Sequence, residues 1–295
     1  MAMSWFYAIG WIASGLATLG NGLVIIVIIS RTRLHLLPNW FVLSLALADF
    51  VVGLVIVPAH FVCRNTVHSS MCPCNIGYAI AVLAIYSSVA NLCAMTVDRY
   101  IAIIKPLRYV TWMTSRRAAF LITLAWGIPI GLDLIPALCT ALGKCDMKDK
   151  SLIFSKMILL VIFPCLFLLI ATIQIIITAR KHWRQNARLH AQLRFNQVSH
   201  RYPRYFSSAR AIIIVLVVFL TCYCVELYSV IRFLFNSSTP TQEVVNVIVL
   251  LTVVNSSVNP IAYALFKRDI RRELKTLCSR LYASRPARHD LNTAL

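Results

Sequence analysis

Charge is scarce in this 295-residue chain: Asp, Glu, Lys and Arg make up 13% of it, about half the share of an ordinary soluble domain. Acids are scarcer still, with 10 Asp and Glu against 29 Lys and Arg. So little charge beside 59% hydrophobic residues excludes an ordinary water-soluble domain and makes lipid the expected main solvent. Internal repeats, inverted hydropathy symmetry and paired Gly/Pro breaks in matching segments are lacking, which speaks against a transporter or channel. A His/Asp/Glu cluster with metal-ligand or nucleophile spacing is lacking too, which speaks against an enzyme. Residues 1–4 lack a positive n-region, so the first apolar run is expected to insert as a helix rather than be cleaved.

What is present is a series of long apolar runs. A spanning helix needs about 20 mostly apolar residues. Seven runs qualify, roughly at 5–30, 39–61, 75–104, 117–138, 152–179, 209–235 and 243–266. They predict an all-α membrane protein, a seven-transmembrane helix bundle with a short amphipathic eighth helix at the inner leaflet. The expected division is an outer terminus at 1–4, the bundle at 5–266, the eighth helix at 267–278 and an inner tail at 279–295.

The net charge of +19 is not spread evenly. Of the 29 basic residues, 23 fall on one side of the proposed bundle, in the groups Arg31–Arg33, Arg99–Arg117, Arg180–Arg210 and Lys267–Arg288. The positive-inside rule makes that side cytoplasmic, with the amino terminus outside and the carboxyl terminus inside. This placement suits anionic lipid, a cytoplasmic protein partner or both, and not nucleic acid. After Phe266, the residues Leu265, Phe266, Ile270, Leu274 and Leu277 fall on one helical face with Lys and Arg opposite, the pattern of an interfacial helix. Cys278 is placed either for palmitoylation or as an ordinary thiol. Asn236-Ser237-Ser238 is an outer glycosylation sequon. The ending Asn292-Thr293-Ala294-Leu295 fits a PDZ ligand, a form that also arises by chance. Cys93, Cys165, Cys222 and Cys224 lie within spans, whereas Cys63, Cys72, Cys74, Cys139 and Cys145 lie on the oxidising outer side.

Ionisable and amide side chains inside a span are costly and mark function by default. Asp49 lies mid-way along the second run. Asn21, Ser88, Asn255, Ser256 and Asn259 lie at similar depth on the first, third and seventh runs, and could share one hydrated cluster of hard oxygen ligands. Asp98-Arg99-Tyr100 closes the third run, where the alternatives are a releasable ion pair and plain snorkelling.

The run Asp98-Arg99-Tyr100 to Pro106-Leu107-Arg108-Tyr109 resembles the third-helix end and second inner loop of rhodopsin-like (class A) G-protein-coupled receptors. Asn255-Ser256-Ser257-Val258-Asn259-Pro260-Ile261-Ala262-Tyr263 resembles their seventh-helix motif. Gly20-Asn21, Asp49, Trp126, Pro164 and Cys74 resemble the marks of the first, second, fourth, fifth and third helices. The resemblance covers about residues 10–280, and its style is nearest the amine, adenosine and melanocortin receptors. It implies a plasma-membrane, multi-pass receptor with a small-molecule or short-peptide extracellular ligand, coupled to a heterotrimeric G protein and to arrestin. Activation would run through Asp98, Arg99, Tyr100, Phe219, Cys222, Tyr223, Asn259, Pro260 and Tyr263 by outward movement of the sixth helix. It further implies an allosteric sodium ion on Asp49, Ser88, Asn255 and Ser256, and a Cys74–Cys145 disulfide, with Cys139 as the alternative. The ligand pocket it implies comprises Ala81, Ile85, Tyr86, Lys156, Glu226, Val230 and Val249.

The sixth helix departs from the family pattern. Tyr223 replaces the usual Trp and Val225 the usual Pro, which removes the usual cause of a kink. Thr172 stands where a Tyr usually meets Tyr263, and the inner start of the sixth helix has Tyr205 and no acid for Arg99. Raised basal signalling is one expected consequence; a non-signalling or constitutively active heteromer partner is the alternative function. Ala81 stands where amine receptors carry Asp, and Val253 stands where opsins carry the retinal lysine. Lys156 and Glu226 are expected either to grip a zwitterionic or polar ligand together or to neutralise each other, with Asp133 nearby. His60 is a weaker candidate.

Overall fold

A chain with no water around its middle must satisfy its backbone within each segment, and its described spans do so by helices. The computed structural model describes residues 4–65, 74–142, 154–192, 204–236 and 241–283. Seven helices within it are long and apolar enough to cross a membrane: Phe6–Ser30, Leu37–His60, Ala79–Ile104, Ser115–Cys139, Phe154–Lys181, Ile213–Arg232 and Gln242–Phe266. These bounds agree with the seven apolar runs to within a few residues.

Large apolar side chains lie on the outside as well as the inside. Ile12, Leu19 and Phe163 are more than half exposed, which suits lipid and not water. The first helix packs on the second and seventh, the second on the third, the third on the fourth and fifth, and the sixth on the fifth and seventh. Two apolar clusters fill the centre. The inner one joins Phe41, Leu92, Met95, Leu168, Phe219, Tyr223 and Tyr263; the outer one joins Phe6, Val52, Ile56, Ala81, Ala84, Val249 and Val253.

Close approach of helix backbones depends on two glycines. A Cβ on Gly20 would stand 2.7 Å from Cγ of Pro260, and one on Gly53 would stand 2.9 Å from the backbone nitrogen of Thr18. Ser14 Oγ also donates to the carbonyl of Gly53. A short helix, Pro106–Trp112, comes after the third span, with proline in its first turn, where no N–H is needed. Thr114 caps the fourth helix by accepting from the Arg117 amide.

The fourth and fifth helices are interrupted by π-helical turns, Ile130–Leu134 and Met157–Ile162. The sixth, Arg204–Asn236, is one continuous α-helix, as expected where Val225 replaces a proline. A terminal helix, Arg268–Ala283, comes after the seventh span and is longer than the expected 267–278. Its predicted apolar face needs two corrections. Ile270 is fully buried and Leu274 and Leu277 pack on the inner core, but Leu265 is exposed because it still belongs to the seventh helix. Lys267, expected on the basic outer face, is instead buried at the junction.

Candidate functional site

Asp49 is fully buried. Its carboxylate accepts hydrogen bonds from Ser88 Oγ at 2.7 Å, Ser256 Oγ at 2.9 Å and Asn259 Nδ2 at 2.5 Å. The second, third and seventh helices are thus joined at one acid, which offsets the cost of burying it. Asn21 extends the network to the first helix by donating to the Ser256 carbonyl at 3.0 Å. Asn255 does not reach Asp49; its Oδ1 is buried without a hydrogen-bond partner, as are Oδ1 of Asn21 and of Asn259. Beside this cluster, Trp126 donates to Ser44 at 3.0 Å and Ser44 to Asn91 at 2.6 Å, tying the fourth helix to the second and third. Ser44 and Asn91 are absent from the residues expected by sequence, although polar groups at mid-span are their visible signal.

At the inner end, Asp98 and Arg99 are both buried, and Arg99 Nε lies 2.9 Å from Asp98 Oδ2. The contact meets the distance of an ion pair but lacks the alignment of a hydrogen bond. Tyr109 Oη holds the other carboxylate oxygen at 2.7 Å. Tyr100 Oη donates to Gln174 on the fifth helix at 2.6 Å. Tyr263 is buried and its hydroxyl reaches Met95 Sδ at 3.9 Å. Thr172 turns back on its own helix, donating to the Leu168 carbonyl at 2.5 Å. Phe219 and Tyr223 stack with ring centroids 4.2 Å apart, and Cys222 is buried beside them. Lys267 stands close to this end; burial first, and then the neighbouring Arg99, push its ammonium down to about 7, while Asp269 and Asp98 pull the other way.

In the outer half, Lys156 and Glu226 do not pair with each other. Lys156 Nζ lies 2.5 Å from Asp133 Oδ1. Asp133 sits within the π-turn of the fourth helix, and Lys156 immediately precedes that of the fifth. Each π-turn inserts one extra residue and rotates the rest of its helix about the axis, and such a rotation leaves the length of an apolar run unchanged. Glu226 is half-buried and makes no hydrogen bond or ion pair among the described residues. Ala81 and Val249 belong to the outer apolar cluster with Ile85 packed against it. Tyr86 and Val230 are half-buried. His60 Nε2 is 2.9 Å from Asn246 Oδ1, bridging the second and seventh helices.

Cys139 is disulfide-bonded, whereas Cys93, Cys165, Cys222 and Cys224 are free. The expected Cys74–Cys145 bridge, the sequon at Asn236, the Cys278 side chain and the last four residues lie outside what the structure describes.

The sequence pattern of the family described as 7 transmembrane receptor (rhodopsin family) matches residues 20–263. The octopamine receptor beta-2R of Chilo suppressalis is 27% identical over 319 residues, covering 91% of this chain and 78% of its own length. The adenosine receptor A2b of Mus musculus is 27% identical over 307 residues, covering 93% and 90%. The trace amine-associated receptor 7a of Mus musculus is 28% identical over 294 residues, covering 92% and 81%. These relatives are receptors, not enzymes, and they match along the whole bundle. A match to most of the chain, on a bundle with the Asp49 network at its centre and Asp98-Arg99 at its inner end, decides the class: the chain belongs to the rhodopsin family of seven-transmembrane, G-protein-coupled receptors.

Proposed function

We propose that the chain sits in the plasma membrane with its amino terminus outside, binds a small extracellular ligand between its helices, and activates a heterotrimeric G protein when the inner half of the sixth helix moves outward. The observation that carries this reading is the Asp98–Arg99 contact. It is short yet unaligned, so this contact holds Arg99 by charge and not by a directed bond. The sixth helix carries no acid before Glu226 to hold Arg99 from the other side. A ligand that favours the open packing shifts a two-state population, and Arg99 then turns toward the docked partner.

A sodium ion fits the Asp49 cluster. The donors are all hard oxygens, and Asn255 Oδ1, a buried oxygen with no partner, is what an ion would use. Asp49, Ser88, Ser256 and Asn255 would hold it. A bound ion supplies one positive charge beside Asp49, and so stabilises whichever packing keeps these four residues together.

The test is nucleotide exchange on purified G protein by the receptor in lipid nanodiscs, with spin labels reporting the distance between the inner ends of the third and sixth helices. Exchange above the receptor-free rate, lost in Arg99→Ala, together with a second, longer distance population when G protein is present, supports the proposal. Exchange equal to the receptor-free rate for every G-protein class, with a single unchanged distance, refutes it.

A further inference from the structure

Among the described residues of the outer half, only Asp133, Lys156 and Glu226 are charged and not exposed. Asp133 and Lys156 neutralise each other across the two π-turns. Among the described residues, the outer half of the interior is thus left with one uncompensated acid, on the sixth helix. Glu226 is one turn beyond Tyr223, so the two share a helix face. The Tyr223 hydroxyl is buried and has no hydrogen-bond partner. Glu226 is half-buried, and its charge acts on both Tyr223 and Cys165 of the fifth helix.

We propose that this receptor recognises its ligand through a cationic group, an ammonium or guanidinium, seated on the Glu226 carboxylate with the Tyr223 hydroxyl as a second acceptor. The inference rests on the receptor reading above and names the ligand class of that site. The acid therefore comes from the sixth helix, whereas the third-helix position is occupied by Ala81, which is buried in apolar contacts. An acidic or zwitterionic ligand is not the expected partner, because the Lys156 ammonium is already held by Asp133. The seat also has a route inward. Tyr223 stacks on Phe219, and both share one packed cluster with Met95 and Tyr263. A cation drawn against Glu226 and Tyr223 therefore acts on the side chains that lead to the Arg99 end, with no proline hinge required.

The test uses the full chain in nanodiscs and four probes: phenethylamine with its neutral isostere 2-phenylethanol, and butylguanidine with butylurea, each at about 10 mM so that weak binding still raises thermal stability by mass action. Both cations are expected to raise the melting temperature of the wild type and both neutral isosteres to leave it unchanged. Glu226→Gln is expected to weaken cation binding by about 10- to 100-fold, the worth of a charge-assisted hydrogen bond, with Glu226→Asp intermediate. Equal shifts from cations and neutral isosteres, no shift from either cation, or cation shifts retained in Glu226→Gln overturn the proposal. The isostere comparison on the wild type stands even if a variant fails to fold. Cation binding through Glu226 without nucleotide exchange refutes the signalling reading alone; exchange driven by a neutral ligand and indifferent to Glu226→Gln refutes the cation seat alone.

Discussion

Replacing Lys156 by methionine leaves Asp133 as a charge whose side chain is only 10% exposed, with one oxygen, Oδ2, already lacking a partner. The stem of methionine fills much of the space of the lysine stem, so packing changes little and the electrostatic loss dominates. Breaking one side of a buried pair costs about 3–5 kcal/mol, whereas replacing both sides with apolar groups of similar size is about neutral. Lys156→Met alone is therefore expected to destabilise strongly, and Lys156→Met with Asp133→Leu to regain most of the loss. The coupling energy of the cycle should exceed about 2 kcal/mol, since the two groups touch. The assay is thermal unfolding of the solubilised receptor, monitored by a thiol-reactive fluorophore. Cys165 and Cys222 are free and buried, so they label only on unfolding; the other cysteines outside a disulfide, including exposed Cys224 and half-buried Cys93, are first changed to serine. A single variant as stable as the parent, or a double variant no better than the single, refutes a structural role for the pair. It would also release Lys156 as a ligand group and remove the charge argument for Glu226.

Asp49→Ala strands the three donors Ser88, Ser256 and Asn259, each costing about 1–3 kcal/mol if left unsatisfied; thermal unfolding should show a large loss, and Asp49→Asn a smaller one together with loss of any sodium dependence. Gly53→Ala forces the first two helices apart, because the new methyl meets backbone at 2.9 Å; overpacking of this kind costs about 1–3 kcal/mol, and an unchanged unfolding temperature would refute the close approach. Lys267 has a folded value of about 7 against an ordinary 10.5. Between those values the unfolded chain binds a proton that the folded chain does not, so stability should rise with pH across that window and stay flat below it. Unfolding temperatures at several pH values should show this slope in the wild type and lose it in Lys267→Met; equal slopes would refute the burial of the ammonium.

Much of this is legible in the residues. Seven spans come from run length alone, because each apolar segment must close its own backbone hydrogen bonds in lipid. The polar set Asn21, Asp49, Ser88, Asn255, Ser256 and Asn259 stands out because such groups are rare in a span. Ser88, Ser256 and Asn259 bond Asp49 directly, and Asn21 is one step removed. The continuous sixth helix is also readable, since Val225 keeps the N–H that a proline lacks.

What the residues cannot decide alone is how each helix is turned about its axis. One inserted residue in a π-turn swings the side chains beyond it by about 100° without altering the hydrophobic run, and with two such turns Lys156 meets Asp133 and not Glu226. The start of the terminal helix is a second case: it begins at Arg268 and not at Lys267, which leaves Lys267 buried at the junction. Composition and spacing determined that this chain is a seven-helix membrane protein, because lipid acts on segment length and polarity; the motifs it shares with its family make it a receptor. The tertiary packing alone determined which charge is left over inside it, because pairing depends on distances between helices that no single helix encodes.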